Sequence, residues 1–116
     1  MINKVYDILK ACNLPLEYNL RPDFDSKGIV LSYHVFNESV EAFEDGAEVE
    51  SGGSLQVDIF AKRRVDFTAI KKQVKQLLKM NDFIGITSND TQENVEGIGI
   101  INHVVITSNY LETEET

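Results

Sequence analysis

A chain of 116 residues with a 42% hydrophobic share suits a single domain; a second independent core does not fit in that length. Its 11 basic and 19 acidic side chains give a formal net charge of -8, which argues against wrapping nucleic acid, where Lys and Arg supply most of the affinity, and against an anionic membrane surface. The single cysteine, Cys12, rules out a disulfide within the chain and suits a reducing compartment.

The opening Met-Ile-Asn-Lys-Val-Tyr-Asp carries acid early and does not read as a signal peptide. Nowhere does an apolar run approach the roughly 18 residues of a membrane span. Val5, Ile8, Leu9 and Cys12 share one helical face, so residues 2–12 are expected to form a helix, stopped by Asn13 and Pro15. A connector with Pro22 leads to Gly28. Ile29 to Phe36 is β-branched and aromatic and reads as a strand with two largely apolar faces: Ile29, Leu31, Tyr33 and Val35 on one, Val30, Ser32, His34 and Phe36 on the other.

Asn37 to Gly53 carries Glu38, Glu41, Glu44, Asp45, Glu48 and Glu50, three glycines and no basic residue. Like-charge repulsion and glycine freedom predict a long acidic hairpin or mobile loop, part of it strand at Val40 to Phe43. Ser54 to Ala61 alternates cleanly and reads as a strand, paired antiparallel with 29–36 in the simplest connection. After Lys62, Arg63 and Arg64 comes a helix over 66–80 with Asp66 as N-cap. Its apolar stripe is Phe67, Ile70, Val74, Leu77 and Leu78, with Lys71, Lys72, Lys75 and Lys79 on one flank. A short strand at 83–88, a polar turn region over 89–97 and a long strand over 97–110 follow. The acidic end, 112–116, is expected to fray, leaving one domain over 1–111.

Two helices and four hairpin-connected strands, in the order α-β-β-α-β-β, predict an α+β domain: an antiparallel sheet with both helices on one face. The other face keeps Phe36, Phe60, Ile101 and Val105 among polar residues, as a subunit with neighbours requires.

Signs of chemistry are sparse. Cys12 lies on the apolar helical face, where a thiol is an inert core residue rather than a nucleophile. His34 and His103 stand on expected strands without a metal-ligand spacing or a nucleophile motif. Gly97-Ile98-Gly99 begins like a dinucleotide fingerprint, but Asn102 replaces the third glycine and a strand follows; a turn or bulge is the better reading. Glu44 and Asp45 sit in the solvated acidic stretch, which supplies neither the burial a general acid needs nor a calcium-loop pattern. The sequons at Asn37 and Asn89 read as loop residues. Cofactors, metal ligands and catalytic residues are therefore not expected. The basic cluster, Lys62 to Arg64 with the helix lysines, reads as a solvated face, a DNA contact or a partner for a neighbour's acidic stretch; no aromatic interleaves the lysines to make a base-stacking platform.

Several segments together resemble a known family: the N-terminal helix followed by Leu14-Pro15-Leu16-Glu17-Tyr18 and Arg21-Pro22, the strand Ile29 to Phe36, the acidic excursion, Gln56-Val57-Asp58-Ile59-Phe60-Ala61-Lys62 running into Asp66-Phe67 and a helix, and Gly97-Ile98 opening a long last strand. This pattern, spanning nearly the whole chain, is similar to the tail terminator and tail-completion (tail-to-head joining) proteins of siphophages and prophages. The resemblance implies a structural virion protein, made in the host cytoplasm, that forms a hexameric ring at the head-tail joint. The free subunit can be a monomer. The ring terminates the tail tube, docks to the head connector protein and passes DNA through its lumen. The expected partner-contact residues are Glu38, Glu41, Glu44, Asp45, Glu48, Glu50, Lys71, Lys72, Lys75 and Lys79. A neighbouring head-completion protein is the alternative within phage; a small cytosolic ligand-binding or enzymatic domain is the alternative outside it, to be favoured by a deep pocket with converging polar groups.

Overall fold

The computed structural model describes residues 1–42 and 48–115, and for 39–42, 48–51 and 113–115 it describes the backbone alone. The fold is α+β: two helices and a five-stranded mixed sheet. Helix α1 spans Ile2–Leu9 and tightens into a 3-10 turn over Lys10–Cys12. Asn13, with φ 56°, ends it in the left-handed conformation that asparagine tolerates. Strands β1 (Leu16–Tyr18), β2 (Ile29–Ala42) and β3 (Glu48–Lys62) follow, then α2 (Thr68–Met80), β4 (Ile84–Val95) and β5 (Gly99–Glu115). In space the strands run β1-β2-β3-β5-β4.

The sheet differs from the expected antiparallel one at its first edge. β1 pairs parallel with β2, Leu16 opposite Leu31 and Tyr18 opposite Tyr33, while all the other pairs are antiparallel. Three residues between Pro15 and Asn19 carry no periodicity to announce a strand. They pair because the Leu31 amide donates to the Pro15 carbonyl at 2.9 Å and the Asn19 amide to the Tyr33 carbonyl at 2.7 Å.

Of the two expectations for the acidic stretch, the described residues take the long hairpin: β2 runs to Ala42 and β3 begins at Glu48, so most of 37–53 is strand; Glu44 and Asp45 lie outside the described residues. The final acids are in strand too: β5 continues to Glu115 opposite Glu48. Likewise 89–95 is strand, not turn. In the last two cases the hydrogen bonds of a neighbouring strand override a composition that reads as loop.

The close approach at Gly53 explains one glycine of the acidic stretch. A Cβ there would stand 2.7 Å from the Tyr110 Oη and 3.1 Å from the Phe36 carbonyl. Gly53→Ala is expected to cost roughly 1–3 kcal/mol by overpacking, measured by urea denaturation. Gly97, with φ 82°, sits in the β4–β5 turn closed by the Ile98 amide on the Val95 carbonyl, a conformation that glycine adopts freely.

The core lies between the helices and one face of the sheet. Val5 and Leu9 of α1 and Val74 and Leu78 of α2 pack on Leu31, Val57, Ile59, Val104 and Ile106. Cys12 is buried here as the helical pattern requires, and desolvation pushes its thiol pKa up. The Tyr33 hydroxyl donates to the Ile2 carbonyl at 3.1 Å, tying α1 to the sheet. No helix among the described residues is long and apolar enough to cross a membrane.

Helix α2 begins two residues later than expected. Asp66 still serves its start: its carboxylate accepts the Thr68 amide at 2.9 Å. That backbone bond, with the Thr68 hydroxyl, holds the Asp66 carboxyl below its ordinary pKa. A carboxyl with a depressed folded pKa stabilises above its unfolded value, about 3.9, and loses that contribution as pH falls through the folded one. The melting temperatures of wild type and Asp66→Ala are therefore expected to differ at pH 6 and to converge at pH 2–3, by calorimetry across pH.

Candidate functional site

The strand pleat puts Val30, Ser32, His34 and Phe36 of β2, Gln56, Asp58 and Phe60 of β3, and Ile101, His103 and Val105 of β5 on the sheet face opposite the helices. That face has no helical cover. At one end it is overlaid by the connector between β1 and β2, where the Arg21 guanidinium stands 5.0 Å from the Phe24 ring and 6.0 Å from the Phe60 ring. Val30 and Ile101 are fully buried, whereas Phe36, Phe60 and Val105 are only partly so and Leu111 is 69% exposed.

A polar network crosses the same face. The Gln56 Nε2 donates to Asp58 Oδ1 at 2.9 Å, and that oxygen faces His103 Nε2 at 2.8 Å. On the other side of the ring, Nδ1 meets a Glu93 carboxylate oxygen. The Phe60 ring stacks on the imidazole at 4.3 Å between centroids. Neutral imidazole has one N–H, so both contacts are hydrogen bonds together only when the ring is doubly protonated or a carboxyl keeps a proton. The arrangement ties β3, β5 and β4 side by side. Among the described residues no hydroxyl or thiol is hydrogen-bonded to the ring. Nor is any group of His, Cys, Asp and Glu there arranged to hold a metal ion.

The expected contact residues fall into three sets. Glu41, Glu48 and Glu50 lie at the far end of the sheet, where the backbone register puts Glu41 opposite Glu50 and Glu48 opposite Glu115. Glu38 is exposed beside Asn37, whose φ of 53° accompanies a break in the β2–β3 register. The lysines of α2 do not act as one set. Lys71 is bound within the chain to Asp90 of β4, at 2.9 and 3.1 Å, while Lys72, Lys75 and Lys79 line a shallow groove beside Ile86.

At the opposite end of the sheet lies a feature that sequence reasoning missed. The connector, the end of β3 and the β4–β5 turn enclose a cleft of about 600 Å³. Arg21, Lys62 and Arg63 line it, with Asp23 as the one acid of the lining, and Phe24, Ile98 and Ile100 form its apolar part. Ile98 and Ile100 are both more than 40% exposed. The basic triplet at 62–64 was the available signal; its partners Arg21 and Phe24 are about 40 residues away and carry none.

No protein-family model matches the chain, and no curated protein matches it. Among solved structures, the virion of a native gene transfer agent (GTA) particle contains a chain to which this one is similar, at 13% identity over 93% of this chain and 91% of that one, with a TM-score of 0.44.

Proposed function

We propose that the chain is a structural protein of a tailed-phage virion, working as one subunit of a ring at the head-proximal end of the tail. The observation that carries this reading is the helix-free face of the sheet. Phe36, Phe60 and Val105 are half-covered there and Leu111 is open to water, beside residues as fully buried as Val30. A lone subunit leaves these side chains wet, and a neighbour covers them. The segment-by-segment resemblance to siphophage tail terminator and tail-completion proteins supports the same reading and supplies the position in the particle.

In this reading six copies close a ring that stops the tail tube, meets the head connector protein and lets DNA pass through its lumen. A subunit of net charge -8 repels phosphate rather than holding it, which suits passage without specific binding. The ring needs no cofactor, catalytic step or membrane. Glu38, Glu41, Glu48 and Glu50 at one end and Lys72, Lys75 and Lys79 on α2 are its proposed contact residues.

The test is to disrupt the gene in a particle-forming host and image the products. Unjoined heads and overlong tails, restored by supplying the chain, are expected, with antibody label at the head-tail joint of wild-type particles. Normal particles without the chain, or label elsewhere, overturn the reading.

A further inference from the structure

The lysine flank of α2 lies beside the open edge of β4, and we infer that the two together receive an extended acidic segment of an assembly partner. The segment adds to the sheet as a sixth strand, with carboxylates at alternate positions toward the lysines. The inference gives the contact part of the reading above a partner of stated chemistry, and it rests on that reading only for the existence of such a partner.

The edge is ready to pair. β4 is the last strand of the sheet, so its outer side has no strand partner among the described residues. It pairs with β5 from Thr87 to Val95 without a register break, and its one irregularity lies between Ile84 and Thr87. The other edge is interrupted: β1 covers the start of β2, and Asn37, with φ 53°, accompanies a break just past Phe36. Open edges are commonly guarded by proline, by lysine or by a bulge. β4 has neither proline nor lysine. Its two acids are turned onto their own chain, Asp90 to Lys71 at 2.9 Å and Glu93 to His103.

The flank supplies the charge. From 68 to 90 the chain has four lysines against Asp82 and Asp90. Lys71 is taken by Asp90. Lys72, Lys75 and Lys79 form no ion pair among the described residues, and they line a groove of about 330 Å³ against Ile86 of β4. The step from Lys72 to Lys79 covers about 10 Å of helix axis at 1.5 Å per residue. That equals about three residues of strand at 3.3 Å. Side chains two apart on an added strand share a face at about 7 Å, so two carboxylates fit within the length of the flank.

The edge also dictates the alternation. On the helix-free side it presents Thr87, Thr91 and Glu93, and a like charge set against Glu93 is penalised, so the residues between the acids are neutral. Such a strand satisfies backbone and charge at once. A nucleic acid does not: its phosphates meet the lysines but leave the outer amides and carbonyls of β4 without partners.

The probe is a fluorescent synthetic peptide of about ten residues, long enough to span 86–94, with glutamate alternating with threonine. Binding to the purified full chain is read by anisotropy at about 50 mM salt, where screening is weak, and the site by amide exchange. Saturable binding is expected, with every second amide of β4 newly protected. Lys72→Glu with Lys75→Glu should weaken it at least roughly tenfold, and circular dichroism checks that this variant is folded. N-methylation of one set of the peptide's alternate amides should abolish binding and of the other set leave it, with every charge in place. No binding to wild type at millimolar peptide overturns the inference. So does an equal response to the two methylated peptides, as a contact made by charge alone gives, and so does protection of another strand in place of β4. Duplex DNA that binds tighter and displaces the peptide assigns the flank to phosphate and overturns it too. The particle-imaging test is separate: a chain that stands at the joint but binds no such peptide refutes this contact alone, and one that binds the peptide but is absent from the joint refutes the ring alone.

Discussion

Leu78→Ala is expected to cost the fold roughly 3–4 kcal/mol, the range for truncating a fully buried leucine whose site cannot collapse. Leu78 is 0% exposed, and with Val74 it is the fully buried part of α2 in the core against the sheet. The cavity cannot close easily, because Leu31, Val57, Ile59, Val104 and Ile106 opposite it belong to strands fixed on both sides by their neighbours. Domains of this size hold only about 5–15 kcal/mol in total, so the melting temperature should fall by more than 10 °C. Met80→Ala is the control: two residues away on the same helix but 77% exposed, it should stay within about 0.5 kcal/mol. Urea denaturation of the pair checks both. A Leu78→Ala loss below about 1.5 kcal/mol would mean that α2 is not a fixed part of the core.

The contrast within α2 marks how far the sequence could be read. The spacing of Phe67, Ile70, Val74, Leu77 and Leu78 showed which side of the helix packs, because a helix satisfies its own backbone and leaves only its side chains to be placed. The alternation in 29–36 and 54–61 was legible for the same kind of reason, each having one face in the core. Strands that depend on a partner were not. β1 has three residues, and β4 beyond Ser88 is polar and exposed along nearly all its length, so neither shows a period. The charge of the acid-rich ends of β2 and β3 left hairpin and loop both open, and that of β5 read as a frayed tail; the register of the inner strands carries on through all three.

The surfaces were legible only in part. The acids and lysines were named from local density, but density cannot tell that Lys71 would be taken by Asp90, 19 residues on. The cleft and the histidine network are assembled across strands, and only the register joins their residues. His103 read as an isolated strand histidine because Asp58 is 45 residues away.

Breaking that network from its buried side is the second large effect. Asp58 is 6% exposed and accepts from Gln56 while facing His103; removing it leaves the imidazole with Glu93 alone and the Gln56 amide without its acceptor. Leaving a buried polar group without its hydrogen-bond partner costs roughly 1–3 kcal/mol, because that group does not regain water. His103 keeps some exposure, 19% against 9% for the Asp58 side chain, but Gln56 loses its acceptor as well, so Asp58→Ala is expected to cost about 2 kcal/mol. Glu93 is 42% exposed and its contact is screened by solvent, so Glu93→Ala should cost under about 1 kcal/mol. A cycle of Asp58→Ala, His103→Ala and the double variant, followed by urea denaturation, isolates the pair itself; a coupling of roughly 1–2 kcal/mol is expected. Phe60, stacked on the ring, should become more accessible in Asp58→Ala. A coupling near zero would reduce His103 to a stacking partner of Phe60 and remove this tie between strands from the account of this face.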